Sequence, residues 1–169
     1  MILAVDVDYR EDKAVAAGVA FEDWEALTPA NTFVTETDQV EEYQSGEFYK
    51  RELPIILLLL QRLPQLPEII VIDGYVYLDS DRKGGLGHYL YKALGEKIAV
   101  IGVAKSHFKD VPLEAGVLRN GSNRPLYVTA IGVDESEARG YIKKMHGAYR
   151  LPTLLKAVDR LCRDSLSST

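Results

Sequence analysis

The fold is decided by the first stretch of the chain, MILAVDVDYREDKAVAAGVA (residues 1–20). Residues 2–7 are apolar and end in acids, residues 10–13 are charged and read as a hairpin turn, and residues 14–20 are apolar again. Residues 31–37 are rich in β-branched side chains and alternate in polarity. This pattern predicts three antiparallel strands connected as a meander.

The rest of the chain alternates between predicted helices and predicted strands. Residues 45–62 predict a long helix, with Ser45 as its N-cap and Pro54 as the position of a bend. Residues 69–72 and 98–103 are continuous apolar runs, which are typical of strands buried on both faces. A further strand is predicted over residues 126–131, and further helices over residues 86–94, 135–145 and 153–162.

This order of elements predicts one α/β domain over residues 1–169, with residues 165–169 as a short flexible tail. The predicted architecture is a ribonuclease H-like mixed sheet, in which the antiparallel three-strand meander is followed by parallel strands and helices cover both faces. A flavodoxin-like sheet is the structural alternative, and the opening hairpin argues against it.

The composition limits the classes of function. The net charge is −5 and the sequence pI is about 5.3, which argues against the surface-wide basic footprint of a nonspecific nucleic-acid binder. A nuclease is still possible, because acidic metal ligands carry negative charge that bound cations neutralise. The single cysteine, Cys162, allows no intramolecular disulfide. The longest apolar run, residues 53–60, is too short to cross a bilayer, and no secretory leader is recognised. A cytoplasmic protein without a membrane partner is therefore expected.

Three acidic residues stand out by their positions. Asp6 and Asp73 each end a predicted buried strand, and Glu52 lies in the long helix between them. Neighbouring carboxylates are unfavourable unless a proton or a cation lies between them, and hard oxygen ligands favour Mg²⁺ or Mn²⁺. The residues alone leave two interpretations open: a metal site, or turn-forming and helix-capping aspartates. Lys105 follows a predicted strand, where it is suited either to stabilise charge on a phosphate or simply to lie in solvent.

These same residues lie in motifs that resemble those of the endonuclease V family. Tyr43, Gly46 and Glu52 follow one another at the family's spacing, and Gly84 and His88 fall where the family has a glycine and a histidine. The other motifs occur in the family's order: AVDVDY (residues 4–9), RELP (51–54), Asp73-Gly74, GVAKS (102–106), PLYV (125–128) and YRLP (149–152). Each motif is short, but their shared order makes chance similarity improbable.

The resemblance implies a metal-dependent endonuclease with a ribonuclease H-like fold. Asp6, Glu52 and Asp73 would hold Mg²⁺, or Mn²⁺ as a substitute, and Lys105 would lie beside the reacting phosphate as the fourth catalytic residue. The implied reaction cuts DNA or RNA at the second phosphodiester 3′ to a deaminated purine such as inosine, and leaves 5′-phosphate and 3′-hydroxyl ends. A monomer is expected.

The resemblance also implies a set of substrate-binding residues. Tyr43 would belong to a wedge that fills the gap left by the flipped base, and Gly74 would let the backbone approach that base. Base stacking is a further candidate role for Tyr75, beside packing around its loop. The complete substrate-binding set is Tyr43, Gly46, Gly74, Tyr75, Gly84, His88 and Ser106.

The chain departs from the family's pattern at several positions. Val76 stands where a glycine is usual, a change expected to narrow or reshape the base pocket, and Asp79 stands where a histidine is usual. A second histidine of the family, in the loop after the late strand, is also absent, and Asp134 lies in that loop. Asp79 and Asp134 are therefore candidates for additional carboxylates near the metal. Three hypotheses follow: an active endonuclease V-type enzyme, a related nuclease with a different substrate preference, and a non-catalytic nucleic-acid-binding module.

Overall fold

One mixed sheet runs through the part of the chain that the structure, a computed structural model, describes, which is residues 1–40 and 49–167. Within those residues the sheet has seven strands, in the order β3-β2-β1-β4-β5-β7-β6. The strands are β1 (Ile2–Arg10), β2 (Lys13–Phe21), β3 (Asn31–Thr37), β4 (Ile69–Asp73), β5 (Ala99–Ala104), β6 (Gly116–Val117) and β7 (Leu126–Ile131).

The directions of the strands confirm the predicted meander and its parallel continuation. β1 pairs antiparallel with β2 along its whole length, from Ile2 opposite Phe21 to Arg10 opposite Lys13, and β2 pairs antiparallel with β3. This long pairing extends β1 three residues beyond its predicted end. β4 runs parallel to β1, and β5 runs parallel to β4. The last two strands differ, because β7 is antiparallel to β5 and pairs with the two-residue β6 at the edge of the sheet.

Helices cover both faces of the sheet, as the sequence predicts. They are α1 (Tyr49–Gln61), α2 (Leu86–Ala93), α3 (Glu135–Lys144) and α4 (Thr153–Ser167). On one face, Leu59 of α1 and Leu90 of α2 are fully buried against the sheet. On the other face, Ile142 of α3 and Cys162 of α4 are fully buried. Alternate residues of β1 serve the two faces, so that Leu3 packs toward α1 while Ala4 packs toward α4.

The last helix is longer than its sequence pattern predicts. α4 continues to Ser167, so the segment predicted as a tail (residues 165–169) begins inside the helix. The Ser165 hydroxyl donates a hydrogen bond to the Leu161 carbonyl, and Arg163 pairs with Asp159 one turn earlier, which are contacts typical of a continuing helix. In the described part of the chain, no helix has both the length and the apolar character needed to cross a membrane.

Candidate active site

Two aspartates lie side by side where β1 and β4 run parallel. The pairing of Val5 with Ile72 places the next residues, Asp6 and Asp73, at the same level of adjacent strands. Both line a small cleft of about 30 Å³ between the sheet and α4, which is room for one or two water-sized groups. The register of two buried strands therefore brings together the pair that the sequence predicts.

A third acid, Asp159, reaches this cleft from α4. It lines the same cleft as Asp6 and contributes to the raised pKa of that aspartate. This residue was not among those predicted from the sequence, although the sequence contains a signal for it. Leu155 and Cys162, one turn before and one turn after it, lie on the sheet-facing side of the helix, so helical periodicity places Asp159 on that side as well. An acid within a buried stripe is a candidate functional residue.

A fourth acid, Glu52, approaches Asp73 from the opposite side. Glu52 lies in the first turn of α1 and lines a second, larger cavity together with Asp73. The two carboxylates are close enough that Asp73 contributes to the raised pKa of Glu52. Asp73 is thus shared between the small cleft and the larger cavity.

Burial and mutual repulsion raise the pKa values of three of these carboxylates and so favour their protonated forms. Burial raises the pKa of Asp6 to about 8, with further contributions from Asp73 and Asp159. Burial, followed by the charge of Asp73, raises the pKa of Glu52 to about 7. The pKa of Asp73 is also raised, mainly by burial, even though Lys105 opposes the shift. A bound cation would remove the repulsion that these protons now relieve.

The donor chemistry fits a divalent metal ion. The side chains that line the cleft and its neighbouring cavity offer carboxylate oxygens, the ligands that Mg²⁺ and Mn²⁺ prefer. Among residues 1–40 and 49–167, no three His, Cys, Asp or Glu side chains converge closely enough to form a complete metal site. The four carboxylates of Asp6, Glu52, Asp73 and Asp159 therefore lie in one region, but no three of them meet around one point.

Lys105 completes this region from the end of β5. Its Nζ lies 3.8 Å from Oδ2 of Asp73, and its side chain is about half-exposed. The main chain at Lys105 is held from behind, because the Arg150 guanidinium donates a hydrogen bond to its carbonyl oxygen. A positive charge fixed beside the carboxylates, and open to solvent, can contact an anionic substrate.

The larger cavity has a volume of about 300 Å³. Four of the predicted substrate-binding residues line it: Gly74, Tyr75, Gly84 and Ser106. The Tyr75 hydroxyl donates a hydrogen bond to the Ser106 carbonyl and accepts one from the Phe108 amide. This tyrosine therefore ties the loop after β4 to the loop after β5, and these loops form two walls of the cavity.

His88 lies behind this cavity instead of lining it. Its ring lies near the rings of Tyr77 and Tyr89 and packs against Gly84, where an added Cβ would come within 2.6 Å of the histidine ring. His88 therefore supports the cavity wall through Gly84 and does not line the cavity, and its predicted contact with substrate stays a prediction. Tyr43 and Gly46, the other predicted contacts, lie outside the described residues.

Val76 does not line the larger cavity, so its side chain does not narrow that cavity. Val76 is fully buried and belongs to the core on the α1 and α2 side of the sheet. Its amide donates a hydrogen bond to the Thr129 hydroxyl. Its side chain occupies the space beside Gly87 of α2, where an added Cβ would lie 2.6 Å from Val76 Cγ2. A glycine in the following helix thus accommodates the larger residue, away from the cavity.

The two additional carboxylates lie away from the cleft. Asp79 forms a turn in which its Oδ1 accepts hydrogen bonds from the amides of Asp81 and Lys83, and it lines a separate polar cavity. Asp134 caps α3 by accepting a hydrogen bond from the Glu137 amide. Because β7 runs antiparallel to β5, the loop after β7 lies at the opposite end of the strands from Asp73. Asp134 belongs to that loop. Asp134 was a candidate because it lies in the loop where the family has a histidine, and a motif position does not show which end of the strands that loop occupies.

The raised pKa values predict an unusual dependence of stability on pH. Without metal, the folded chain binds more protons at Asp6 and Glu52 than the unfolded chain does between about pH 4 and about pH 8. The free energy of unfolding contributed by these groups is therefore fully present below about pH 4 and is lost as the pH rises toward 8. One pKa unit corresponds to about 1.4 kcal/mol, and 1 kcal/mol to about 2–4 °C in a chain of this size.

Thermal melting at several pH values measures this effect. Relative to an Asp6→Asn/Glu52→Gln variant, the unmodified chain should lose more than about 5 °C in Tm across this pH range. Added Mg²⁺ should recover most of that loss near pH 8, because it binds only the folded state. If the Tm of the two proteins changed equally with pH, both without and with Mg²⁺, the cause assigned to the pKa shifts would be contradicted.

Comparisons with known proteins all identify the same family. The model of the protein family described as Endonuclease V matches residues 1–160. The chain is 30% identical to the endonuclease V of Streptomyces coelicolor, with 98% of this chain and 78% of the relative covered. It is 31% identical to that of Streptomyces avermitilis, with 98% and 80% covered.

Solved structures agree at the level of the fold. The crystal structure of the Streptomyces avermitilis endonuclease V superimposes with a TM-score of 0.81 at 28% identity, covering 99% of this chain and 81% of that one. The endonuclease V of Ciona intestinalis, crystallised with a 24mer DNA that contains an inosine followed by a ribo-adenosine, gives a TM-score of 0.76 at 18% identity, covering 99% and 86%. The ribonuclease H-like sheet predicted from the sequence is confirmed.

Proposed function

The chain belongs to the endonuclease V family, and we propose that it is a divalent-metal-dependent endonuclease that cuts DNA or RNA 3′ to a deaminated purine. The observation that carries the proposal is the presence of four acids and one lysine in the same region, beside a cavity. Asp73 belongs to both the carboxylate cleft and that cavity. A reacting phosphate near Asp73 would therefore lie within a short reach of a base placed in the cavity.

The carboxylates would hold the metal, and the lysine would contact the phosphate. Asp6, Glu52 and Asp73, with Asp159 beside them, would bind Mg²⁺ or Mn²⁺, which supplies an activated water and neutralises charge on the phosphate. Lys105 places a positive charge 3.8 Å from Asp73. That charge is positioned to stabilise the negative charge that develops on the phosphate oxygens during hydrolysis.

The cavity is large enough to hold one base. Its volume of about 300 Å³ lies at the lower end of ordinary ligand pockets. In the cavity wall the main chain of Gly85 packs tightly against that of Tyr75, since an added Cβ at Gly85 would lie 2.6 Å from the Tyr75 carbonyl oxygen. The Tyr75 bridge between the two loops keeps the cavity open before substrate arrives. An enzyme that acts next to one altered base gains access by turning that base out of the stack, and inosine in the DNA bound by the Ciona protein supports this choice of base.

The decisive experiment is cleavage of end-labelled oligonucleotides that carry one inosine. Single- and double-stranded DNA and RNA versions, with Mg²⁺ or Mn²⁺, are compared with matched strands that have adenosine or guanosine at that position. We expect a single nick at the second phosphodiester 3′ to the inosine, leaving a 5′-phosphate. The product should disappear in the Asp73→Ala variant and on addition of a chelator.

The other two outcomes identify the alternatives. Equal cutting of inosine and control strands would show a nuclease whose specificity differs from the proposed one. Absence of cutting with either metal on every strand would leave a non-catalytic nucleic-acid-binding module.

A further inference from the structure

A cluster of positive charge lies behind Lys105, outside the residues assigned above. Arg150, in the segment between α3 and α4, donates hydrogen bonds through Nε and Nη2 to the Pro125 carbonyl, at 3.2 and 2.9 Å. Nη2 also donates to the Lys105 carbonyl. One guanidinium therefore joins the residue before β7 to the residue after β5.

Arg124 adds a second guanidinium to this cluster. It immediately precedes Pro125, and its side chain is exposed. The pKa of Arg150 is lowered first by burial and then by the positive charge of Arg124. The backbone contacts around Pro125 and this repulsion agree that the two arginines lie close together. Lys105 extends the same line of charge toward the carboxylates.

Among the residues that the structure describes, no acid forms an ion pair with either of these two arginines. In a chain whose net charge is −5, adjacent cations without a carboxylate are unexpected, because acids are available in excess. Repulsion of this kind is relieved when an anion binds between the cations.

A buried arginine keeps the cluster in place. Arg119 is 1% exposed, and its guanidinium donates hydrogen bonds to the main-chain carbonyls of five residues: Ile142, Met145, Gly147, Tyr149 and Arg150. These bonds satisfy the buried charge without a carboxylate. They also fix the segment that carries Arg150, so the cationic surface is formed before any ligand arrives.

We propose that Arg124 and Arg150 bind the phosphate backbone of the nucleic-acid strand that enters the active site at Lys105. The ligand class is a phosphodiester chain, contacted without regard to sequence. The link to the active site rests on the function proposed above, whereas the binding itself does not. These arginines would give an acidic protein a local positive surface for its substrate, which the net charge alone would not predict.

The salt dependence of binding tests this assignment. Binding of an unmodified single-stranded oligonucleotide, without inosine and without divalent metal, is measured at several salt concentrations for the full chain. Arg124→Gln should reduce the slope of log K against log salt by about 0.7, the value for one lost phosphate contact on a single strand. Arg124→Lys should keep most of the slope, because a point charge can still neutralise a phosphate.

The matched control is Arg62→Gln, which removes the same charge at the far end of α1, about 15 Å along the helix axis from Glu52. It should leave the slope unchanged. An identical slope for Arg124→Gln and Arg62→Gln, or no measurable binding by the unmodified chain, would overturn the proposal. A chain that shows the slope difference yet cuts no inosine strand would overturn the proposed function and leave this inference standing.

Discussion

Replacing Asp6 by asparagine is expected to reduce cleavage by at least about 10³-fold and, without metal, to raise the melting temperature. Cleavage falls because the metal would lose a charged ligand. This is a larger change than losing one neutral donor to a transition-state oxygen, which costs about 10²–10³-fold. The stability rises because burial and the charges of Asp73 and Asp159 raise the pKa of Asp6 to about 8. An amide of the same shape keeps the hydrogen bond from the Val7 amide and has no charge to desolvate.

The matched control is Asp8→Asn, two residues further along β1. Asp8 accepts a hydrogen bond from the amide of its following residue in the same way as Asp6 does, but it does not line the carboxylate cleft. Its replacement should change cleavage by no more than about threefold, since surface substitutions away from such a site have small effects. Cleavage rates within tenfold of the unmodified chain for Asp6→Asn, or a lower melting temperature, would contradict the role assigned to Asp6.

The sequence was sufficient to predict the layout of the sheet. The hairpin between β1 and β2 and the two continuous apolar runs of β4 and β5 have strong local patterns, and parallel pairing follows from the helices between them. The site residues at strand ends were predictable for the same reason, because the ends of adjacent parallel strands meet. Asp6 and Asp73 illustrate this, since their proximity depends only on strand identity and register.

Other features depend on contacts that local patterns do not reveal. The two-residue β6 exists only through its pairing with β7, and the direction of β7 decides that Asp134 caps α3 away from the cleft. Val76 was assigned to the pocket by its position in a motif, whereas its side chain fills space that Gly87 leaves open. The periodicity of α4 places Asp159 on the buried side of that helix, but only the packing of α4 against β1 shows that it lies beside Asp6.

Replacing Lys105 by methionine is expected to lower the rate of cleavage by about 10²–10³-fold, the usual effect of removing one group that stabilises transition-state charge. Methionine keeps the length and apolar stem of lysine, so the loop held by Arg150 should not move. The affinity for the substrate strand should fall by a smaller factor than the cleavage rate, because other cations also contact the backbone. Single-turnover rates and oligonucleotide affinities, measured with the same inosine strand, separate the two effects.

The pH dependence of the cleavage rate distinguishes an electrostatic role of Lys105 from a role in packing. The positive charge of Lys105 opposes the raised pKa of Asp73, so its removal should raise that pKa further and shift the acidic limb of the rate profile to higher pH. Lys109→Met, in the same exposed loop, should leave both the rate and the profile unchanged. If Lys105→Met lost less than about tenfold in rate and kept the original acidic limb, Lys105 would be a surface lysine whose proximity to Asp73 has no part in the reaction.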